Sequence, residues 1–366
     1  MNFDFNEEQR LLTDSVRRFV EKDYDFERRR KIIASPEGWN RPAWTALAEM
    51  GVVGLAFPSE YGGFDCGAAE LMPIMEIFGA ALVVEPFLPT ILAGRLVMRA
   101  GRETQKNVIL PRVVEGNLCL AFAHSERGAR FNLAHVKTEA TPSGATWTIS
   151  GEKCAVVGAP MAETLVVSAR TPSGLGLFLI DTKDAELKQH TTVDGMRAAD
   201  ILLSNTKAEL LSDGPDVQTA IEEVIDFGTA LVCAEAVGAM RYACETTLEY
   251  LKTRKQFGVT IGSFQALQHR MVDMYITSEL SWSMVALACS KLDSQDDAKA
   301  KSRAVSAAKI KIADSARLIS QDSVQMHGGM GLTEELKISH TFRRLTVLAA
   351  QFGDVEYHLA RFAALE

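Results

Sequence analysis

An arginine, several amides and a cluster of glycines lie in two short segments of the last third of the sequence. The first is RKQFG (Arg254–Gly258), followed by Gln265, and the second is QMHGGMG (Gln325–Gly331). An arginine fork binds a phosphate or pyrophosphate through two parallel hydrogen bonds, and glycines let backbone N–H groups approach an anion closely. Together the segments predict one dinucleotide site that assembles in space.

Each segment also has a purely structural interpretation. Basic residues near Arg254 would suit the negative end of a helix dipole, and a glycine commonly ends a helix, as Gly328 would here. One glycine suffices for that purpose, yet three cluster here, and Gln265 and Gln268 fall on one helical face beside the loop that carries Arg254. His327 is expected to hydrogen-bond within its helix end and not to take part in chemistry.

The composition of the sequence limits which partners and which kinds of site are expected. The 366 residues are 47% hydrophobic and carry a formal charge of −8 without a basic block, so neither nucleic acid nor an anionic membrane is an expected partner. The six cysteines are scattered singly with no CxxC spacing, which predicts reduced thiols and no metal site. The polar Met1–Phe5 segment is unlike a signal peptide, and charged residues and prolines interrupt 75–100. We expect a cytoplasmic protein.

The hydrophobic pattern divides the chain into three parts. Helical spacing prevails in 1–118, whereas 119–213 contains short runs rich in Val, Ile and Thr that predict a small antiparallel β domain. Helical spacing returns in 214–366, where four long segments predict a bundle and Ser263 is the expected N-cap of the second. The predicted fold class is α+β, mainly α, with an N-terminal helical domain, a middle antiparallel β domain and a C-terminal four-helix bundle.

The two glycine- and arginine-containing segments, together with this order of domains, resemble the acyl-CoA dehydrogenase family over essentially the whole chain. The resemblance implies an FAD bound across a subunit interface, an acyl-CoA substrate and, by analogy, electron-transfer flavoprotein as electron acceptor. It also implies the residues that contact the FAD of the neighbouring subunit. These are Arg254, Phe257, Gln265, Gln325, Gly328 and Gly329.

The residue that such a dehydrogenase needs as a base is missing. Desaturation of a thioester requires a positioned group that removes the α-proton while a hydride passes to the flavin. The family carries this glutamate either before the Gly-Thr of a C-terminal turn, where Phe352 stands, or early in a long helix, where Gly228 stands beside Thr229. Neither phenylalanine nor glycine can abstract a proton.

The segments that contact a subunit's own flavin in this family are altered as well. The family pattern TEPGAGSD corresponds to SERGARFN (Ser125–Asn132), in which Arg130 and Phe131 replace small residues. The family's Trp-Ile-Thr strand corresponds to 155–157, which reads Ala-Val-Val. The losses therefore concern this subunit's own flavin, whereas the residues for the neighbour's flavin are retained.

This division resembles the small, base-lacking subunit of heteromeric enzymes such as pimeloyl-CoA and steroid side-chain acyl-CoA dehydrogenases. It implies a homologous catalytic subunit as partner, in a heterotetramer with two FAD. Two alternatives stay open: a self-sufficient enzyme with a relocated base, Asp354 or the less well placed Glu235, and a binding paralogue without a redox role. Asp354 also has a structural interpretation, as the N-cap of the last helix. The acyl chain is not specified by the sequence.

Overall fold

The described part of the chain, residues 7–144 and 146–365 of a computed structural model, is mostly helical. The Met1–Phe5 segment lies outside it. None of the helices in the described ranges is long and apolar enough to cross a membrane. The helices are α1 Glu7–Asp23, α2 Phe26–Ala34, α3 Arg41–Glu49, α4 Ala68–Ala81, α5 Phe87–Ala100, α6 Glu103–Val114, α7 Asp216–Thr253, α8 Gln265–Asp293, α9 Ala298–His327, α10 Lys337–Ala350 and α11 Val355–Ala364.

The strands fall almost entirely between the two helical regions, as the sequence predicts. They are β1 Leu120–Ala123, β2 Glu139–Ser143, β3 Thr146–Val157, β4 Thr164–Thr171, β5 Gly174–Asp181, β6 Glu186–Thr191 and β7 Arg197–Asp213, followed by the short pair β8 Lys255–Gln256 and β9 Val259–Thr260. The predicted fold class, α+β with a middle β domain between helical regions, is confirmed.

The described residues form two compact units. The first comprises the residues up to Arg29, Gly67–Val83 and the chain from Thr229 onward. The second comprises Arg30–Cys66 and Val84–Gly228. The three-part division at 118 and 213 stays a prediction based on the sequence pattern.

In the first unit, α9 is the central helix and packs against α8, α10 and α11. The helices α4 and α7 approach each other closely at two glycines. A Cβ on Gly79 would clash with the backbone carbonyl of Glu235, and one on Gly238 would clash with that of Glu76. Glycine at these positions therefore allows the two backbones to touch.

In the second unit, the strands close on themselves. The order is β1-β4-β2-β3-β7-β5, with β5 pairing back to β4 and β6 pairing with β7. Most pairs are antiparallel, as predicted, but β1 and β2 each run parallel to β4. Buried apolar side chains such as Ile149, Val167 and Phe178 fill the interior.

The expectation that Ser263 caps α8 is wrong. Ser263 ends a short 3-10 turn, and its hydroxyl donates to the carbonyl of Thr260 at 2.7 Å. The N-cap of α8 is Phe264, which has extended backbone angles and provides no side-chain cap. The serine hydroxyl is thus used by the turn that precedes the helix.

Candidate functional site

The segment that follows α7 forms a tight hairpin. Strands β8 and β9 pair across a two-residue turn, in which Phe257 has φ +54° and Gly258 has φ +81°. Positive φ at both central residues is typical of a type I′ hairpin turn and is unfavourable for a side chain as large as phenylalanine. The Phe257 ring is 89% exposed and meets Phe264 edge to face, with centroids 6.2 Å apart. The fold therefore displays an aromatic ring on the surface of the first unit.

Arg254 and Gln265 lie at the two ends of this hairpin. The backbone N–H of Ile261 donates to the carbonyl of Arg254 at 2.9 Å, which ties the end of α7 to the turn before α8. Both side chains are exposed, and within the described residues neither makes a hydrogen bond or ion pair. An arginine fork and an amide are thus available to an external ligand.

The glycine-rich turn follows α9. Gly328 has φ +59°, and a Cβ added to Gly328 or to Gly329 would meet no atom within 4 Å. Their backbone groups are consequently open to a ligand. Gln325 is exposed, and in the described chain its side chain has no partner.

Tyr250 and His327 join the two predicted segments. Their rings stack with centroids 4.4 Å apart, and the Tyr250 backbone carbonyl accepts from the N–H of Arg254 at 2.8 Å. The Nδ1–H of His327 donates to the carbonyl of Ser323 at 2.8 Å, and burial lowers the pKa of His327. His327 is therefore a neutral side chain that hydrogen-bonds within its helix. Its contact with Tyr250 could not be predicted from local sequence, because the two residues are 77 positions apart.

The six residues expected to contact FAD fit such a ligand on this geometry. They all belong to the first unit, on three neighbouring elements: the end of α7 with its hairpin, the start of α8, and the turn after α9. Unpaired polar side chains, an exposed ring and open glycine backbone are what a dinucleotide needs from one wall of its site.

Both positions of the expected base lack a carboxylate. Phe352 is half-buried with φ +63°, and its carbonyl accepts from the Nε2–H of His358 at 3.2 Å. Gly228 is buried within α7. Neither side chain at these two positions could therefore take a proton.

The two candidate substitutes are already engaged in structural roles. Asp354 is the N-cap of α11, where its carboxylate accepts from the N–H of Tyr357 at 2.9 Å. Glu235 is buried and forms a two-pronged ion pair with Arg344, at 2.6 Å and 2.8 Å. A base must be available to the substrate, and these contacts occupy both carboxylates.

In the second unit, a buried ion pair holds the loop that begins at Ser125. Lys153 is fully buried and donates to Glu126 at 2.8 Å. Burial alone would raise the pKa of Glu126, but hydrogen bonds from Lys153 and Thr138 lower it to about 2. Glu126 also accepts from the N–H of Lys137 at 2.6 Å. Sequence reasoning missed this pair, whose one local signal is a lysine at the start of the otherwise apolar run 153–157.

The same loop carries the substitutions at the expected flavin-facing positions. Arg130 is exposed with φ +48°, and Ala155 has φ +51° where the resembling family has tryptophan. The Ala155 N–H donates to Asp200 at 2.9 Å, and Arg127 bridges Asp200 at 3.0 Å. A charged side chain, Asp200, thus contacts the backbone at a position where the resemblance implies an aromatic ring.

Family models match the chain along nearly its whole length. Three family models match: the N-terminal domain of acyl-CoA dehydrogenase over 6–117, its middle domain over 121–206 and its C-terminal domain over 218–364. The chain is 28% identical to 3-(aryl)acrylate reductase of Clostridium sporogenes, over 96% of each protein.

Solved structures match the chain over nearly its whole length. A variant of the Tcur3481-Tcur3483 steroid ACAD superposes with a TM-score of 0.88 at 28% identity, over 98% of this chain and 97% of that one. The ChsE4-ChsE5 complex from Mycobacterium tuberculosis superposes with a TM-score of 0.90 at 23% identity, over 100% and 98%, and shares the fold. Since the three domain models follow one another in order along nearly the whole sequence, this chain belongs to the acyl-CoA dehydrogenase family of FAD-dependent oxidoreductases that act on CH–CH groups.

Proposed function

We propose that this chain is the non-catalytic subunit of a heteromeric acyl-CoA dehydrogenase, in which it lends one half of a shared FAD site to a homologous catalytic partner. One contrast carries the proposal. The side chains of Arg254, Gln265 and Gln325 are exposed and make no hydrogen bond or ion pair within the described chain, whereas Phe352 and Gly228 stand where a base is required. A subunit that serves only its partner's cofactor needs the former residues and not the latter.

Each retained residue has a role that its chemistry suits. The Arg254 fork would bind the pyrophosphate, the Phe257 ring would pack against the dinucleotide, and the backbone of Gly328–Gly329 would approach it closely. The amides of Gln265 and Gln325 would supply further hydrogen bonds. When bound, FAD accepts the hydride from the β-carbon of the acyl-CoA.

The α-proton of the substrate must be removed by a base of the partner subunit. Desaturation removes an α-proton and a β-hydride and leaves a carbon–carbon double bond conjugated to the thioester. This chain offers Phe352 and Gly228 at the two places where the family keeps its base, so the catalytic carboxylate would belong to the partner. A self-sufficient enzyme is not favoured, because Asp354 caps α11 and Glu235 pairs with Arg344.

An uncovered apolar face on α8 supports association with another subunit. Five large side chains recur at helical spacing along the helix, and each is more than a third exposed. They are Val272, Tyr275, Ile276, Leu280 and Leu287. Contiguous exposed apolar surface commonly marks an interaction site, and the family's assembly would cover it. The names of the similar Tcur3481-Tcur3483 and ChsE4-ChsE5 structures join two proteins each.

The remaining partners follow from the reaction. The substrate would be an acyl-CoA thioester, and electron-transfer flavoprotein would accept the electrons, as in the family. A binding paralogue without a redox role would not require unpaired groups at Arg254, Gln265 and Gln325, so the cofactor-lending role explains more of the structure.

The test compares flavin content of the chain alone and together with a homologous family member encoded beside it. Flavin absorbance per chain is the readout. We expect one FAD per two chains in the mixed complex, little FAD on this chain alone, and acyl-CoA oxidation by the complex only. Full flavin loading and turnover by the isolated chain would overturn the proposal.

A further inference from the structure

A cavity of about 400 Å³ lies within the first unit, among α1, α4, α7 and the first residue of α10. This volume is within the range of sites that bind small molecules. Much of its wall is apolar, for example Tyr24, Phe26, Ile77 and Ala80. None of the residues expected to contact FAD lines the cavity, so it is separate from the site described above.

Lys337 is a cation in this cavity without an anionic partner. Its ammonium lies over the ring of Tyr242, 3.9 Å from the centroid. Among the described residues it makes neither a hydrogen bond nor an ion pair. Burial and the nearby Arg29 lower the pKa of Lys337 to about 8. A cation at the first position of a helix also opposes the helix dipole, so two features of this location disfavour its charge.

None of the described carboxylates that line the cavity forms an ion pair with Lys337. The carboxylate of Glu76 accepts hydrogen bonds from Arg241 at 2.5 Å and from the indole N–H of Trp282 at 3.0 Å. Asp25 accepts from the N–H of Arg28 at 2.8 Å and pairs with the same residue's guanidinium. The other two, Glu21 and Glu245, are exposed to solvent.

The cavity has a second cation, which is exposed to solvent. Arg17 on α1 also lines the cavity, and it makes no hydrogen bond or ion pair within the described chain. The start of α10 contributes further positive potential, because Leu336 provides no side-chain cap for its first N–H groups. An anion beside Lys337 would supply the ion-pair partner that its ammonium lacks among the described residues.

We propose that this cavity is a binding site for a small carboxylate with an apolar body, whose carboxylate pairs with Lys337 and whose hydrocarbon part packs on the apolar wall between α1 and α4. A free phosphate would pair with Lys337 but leave the apolar wall uncovered. A neutral lipid would cover the apolar wall but leave Lys337 without a partner. The proposal does not depend on FAD or on the partner subunit.

Octanoate is the probe, and isothermal titration calorimetry on the full-length protein measures its affinity. We expect 1-octanol, acetate and inorganic phosphate to bind at least about tenfold more weakly than octanoate, since each lacks one of the two features. Lys337→Met should weaken octanoate binding about tenfold or more, because it removes a charge-assisted hydrogen bond. Lys337→Arg should retain most of the affinity. Lys207→Met, at an exposed lysine of β7, is the matched control and should have no effect.

A second variant tests the location without touching the charge. Ala80→Phe places a ring in the cavity, so it should abolish octanoate binding while circular dichroism shows an unchanged helical content. Absence of octanoate binding to the unmodified protein would overturn the proposal. Affinity unchanged by Ala80→Phe, or by Lys337→Met in a folded variant, would overturn it equally.

Discussion

Arg254 is the residue on which the shared cofactor site most depends. Its exposed guanidinium is the one group in the hairpin that can bind a pyrophosphate through two parallel hydrogen bonds. We expect Arg254→Met to lower the affinity of the mixed complex for FAD by about tenfold or more, measured by flavin fluorescence after dilution. Arg254→Lys keeps the charge but loses the fork, so its affinity for FAD should lie between those of the unmodified complex and of Arg254→Met.

The neighbouring exposed cation provides the control for Arg254. Lys255 lies in β8, on the same hairpin, and is not expected to contact FAD. Lys255→Met should therefore leave flavin content unchanged. Equal losses in both variants would indicate a general electrostatic effect and would contradict a specific role of Arg254.

Asp354 tests whether a relocated base is present. Because its carboxylate caps α11, Asp354→Ala should lower the free energy of unfolding by about 1 kcal/mol, measured by urea denaturation. Asparagine is an equally good N-cap, so Asp354→Asn should leave stability nearly unchanged. Turnover of the mixed complex should be the same in both variants once folded protein is compared. A large loss of turnover in a stable Asp354→Asn complex would show that this carboxylate is the base.

How far the sequence predicts these residues depends on whether their partners are local. The N-cap role of Asp354 was predictable, because the cap and the helix it begins are adjacent in sequence. The pairing of Glu235 with Arg344 was not, since the two lie 109 residues apart and no short-range pattern links them. Without that partner, Glu235 could still be read as a candidate base.

At the scale of elements, helices were easier to predict than strands. The long helices carry clear apolar spacing and end at identifiable residues, as α9 does between Asp297 and Gly328. Strand β6 was not predicted, because it is polar and almost wholly exposed at the edge beside β7. The short apolar runs at 146–149 and 153–157 belong to the single strand β3, with irregular pairing near Gly151.

The exposed face of α8 makes a prediction about assembly. Burying Ile276 and Leu280 against a partner would remove apolar surface from water, and a charge there would oppose it. Ile276→Glu combined with Leu280→Glu should prevent complex formation with the homologous subunit, measured by size-exclusion chromatography with light scattering. The control is Val108→Glu on α6, which places a charge on another exposed apolar residue. An intact complex with the double variant would exclude this face as the interface.

At the scale of the whole molecule, buried histidines link stability to pH. Burial lowers the pKa of His358 to about 4 and that of His124 to about 3. In the unfolded chain both would titrate near pH 6.5, so between that pH and about 4 the unfolded state binds more protons. The free energy of unfolding should therefore fall as the pH is lowered below about 6.5, by at most about 1.4 kcal/mol per pH unit for each histidine.

Urea denaturation at pH 7.5, 6.0 and 5.0 measures this dependence. His358→Gln removes one of the histidines whose pKa burial lowers, so its pH dependence should be shallower than that of the unmodified protein. His269→Gln, at an exposed histidine of α8, should have the same slope as the unmodified protein. A stability that does not change between pH 7.5 and 5.0 would contradict the assignment.

Restoring the missing base tests whether this chain lacks only a catalytic carboxylate or also the residues that would hold its own flavin. Phe352→Glu places a carboxylate at the position where the family has one, and a chain that lacked only its base would then oxidise an acyl-CoA on its own. The loop with Arg130 and Phe131, and Ala155 in place of tryptophan, would still be unsuited to a flavin of its own. We therefore expect Phe352→Glu to show neither flavin binding nor turnover alone, and the mixed complex to keep its activity. Turnover by the isolated variant would show that the loss of the base is the only barrier to a self-sufficient enzyme. We infer that this chain needs a partner because it cannot hold an FAD of its own.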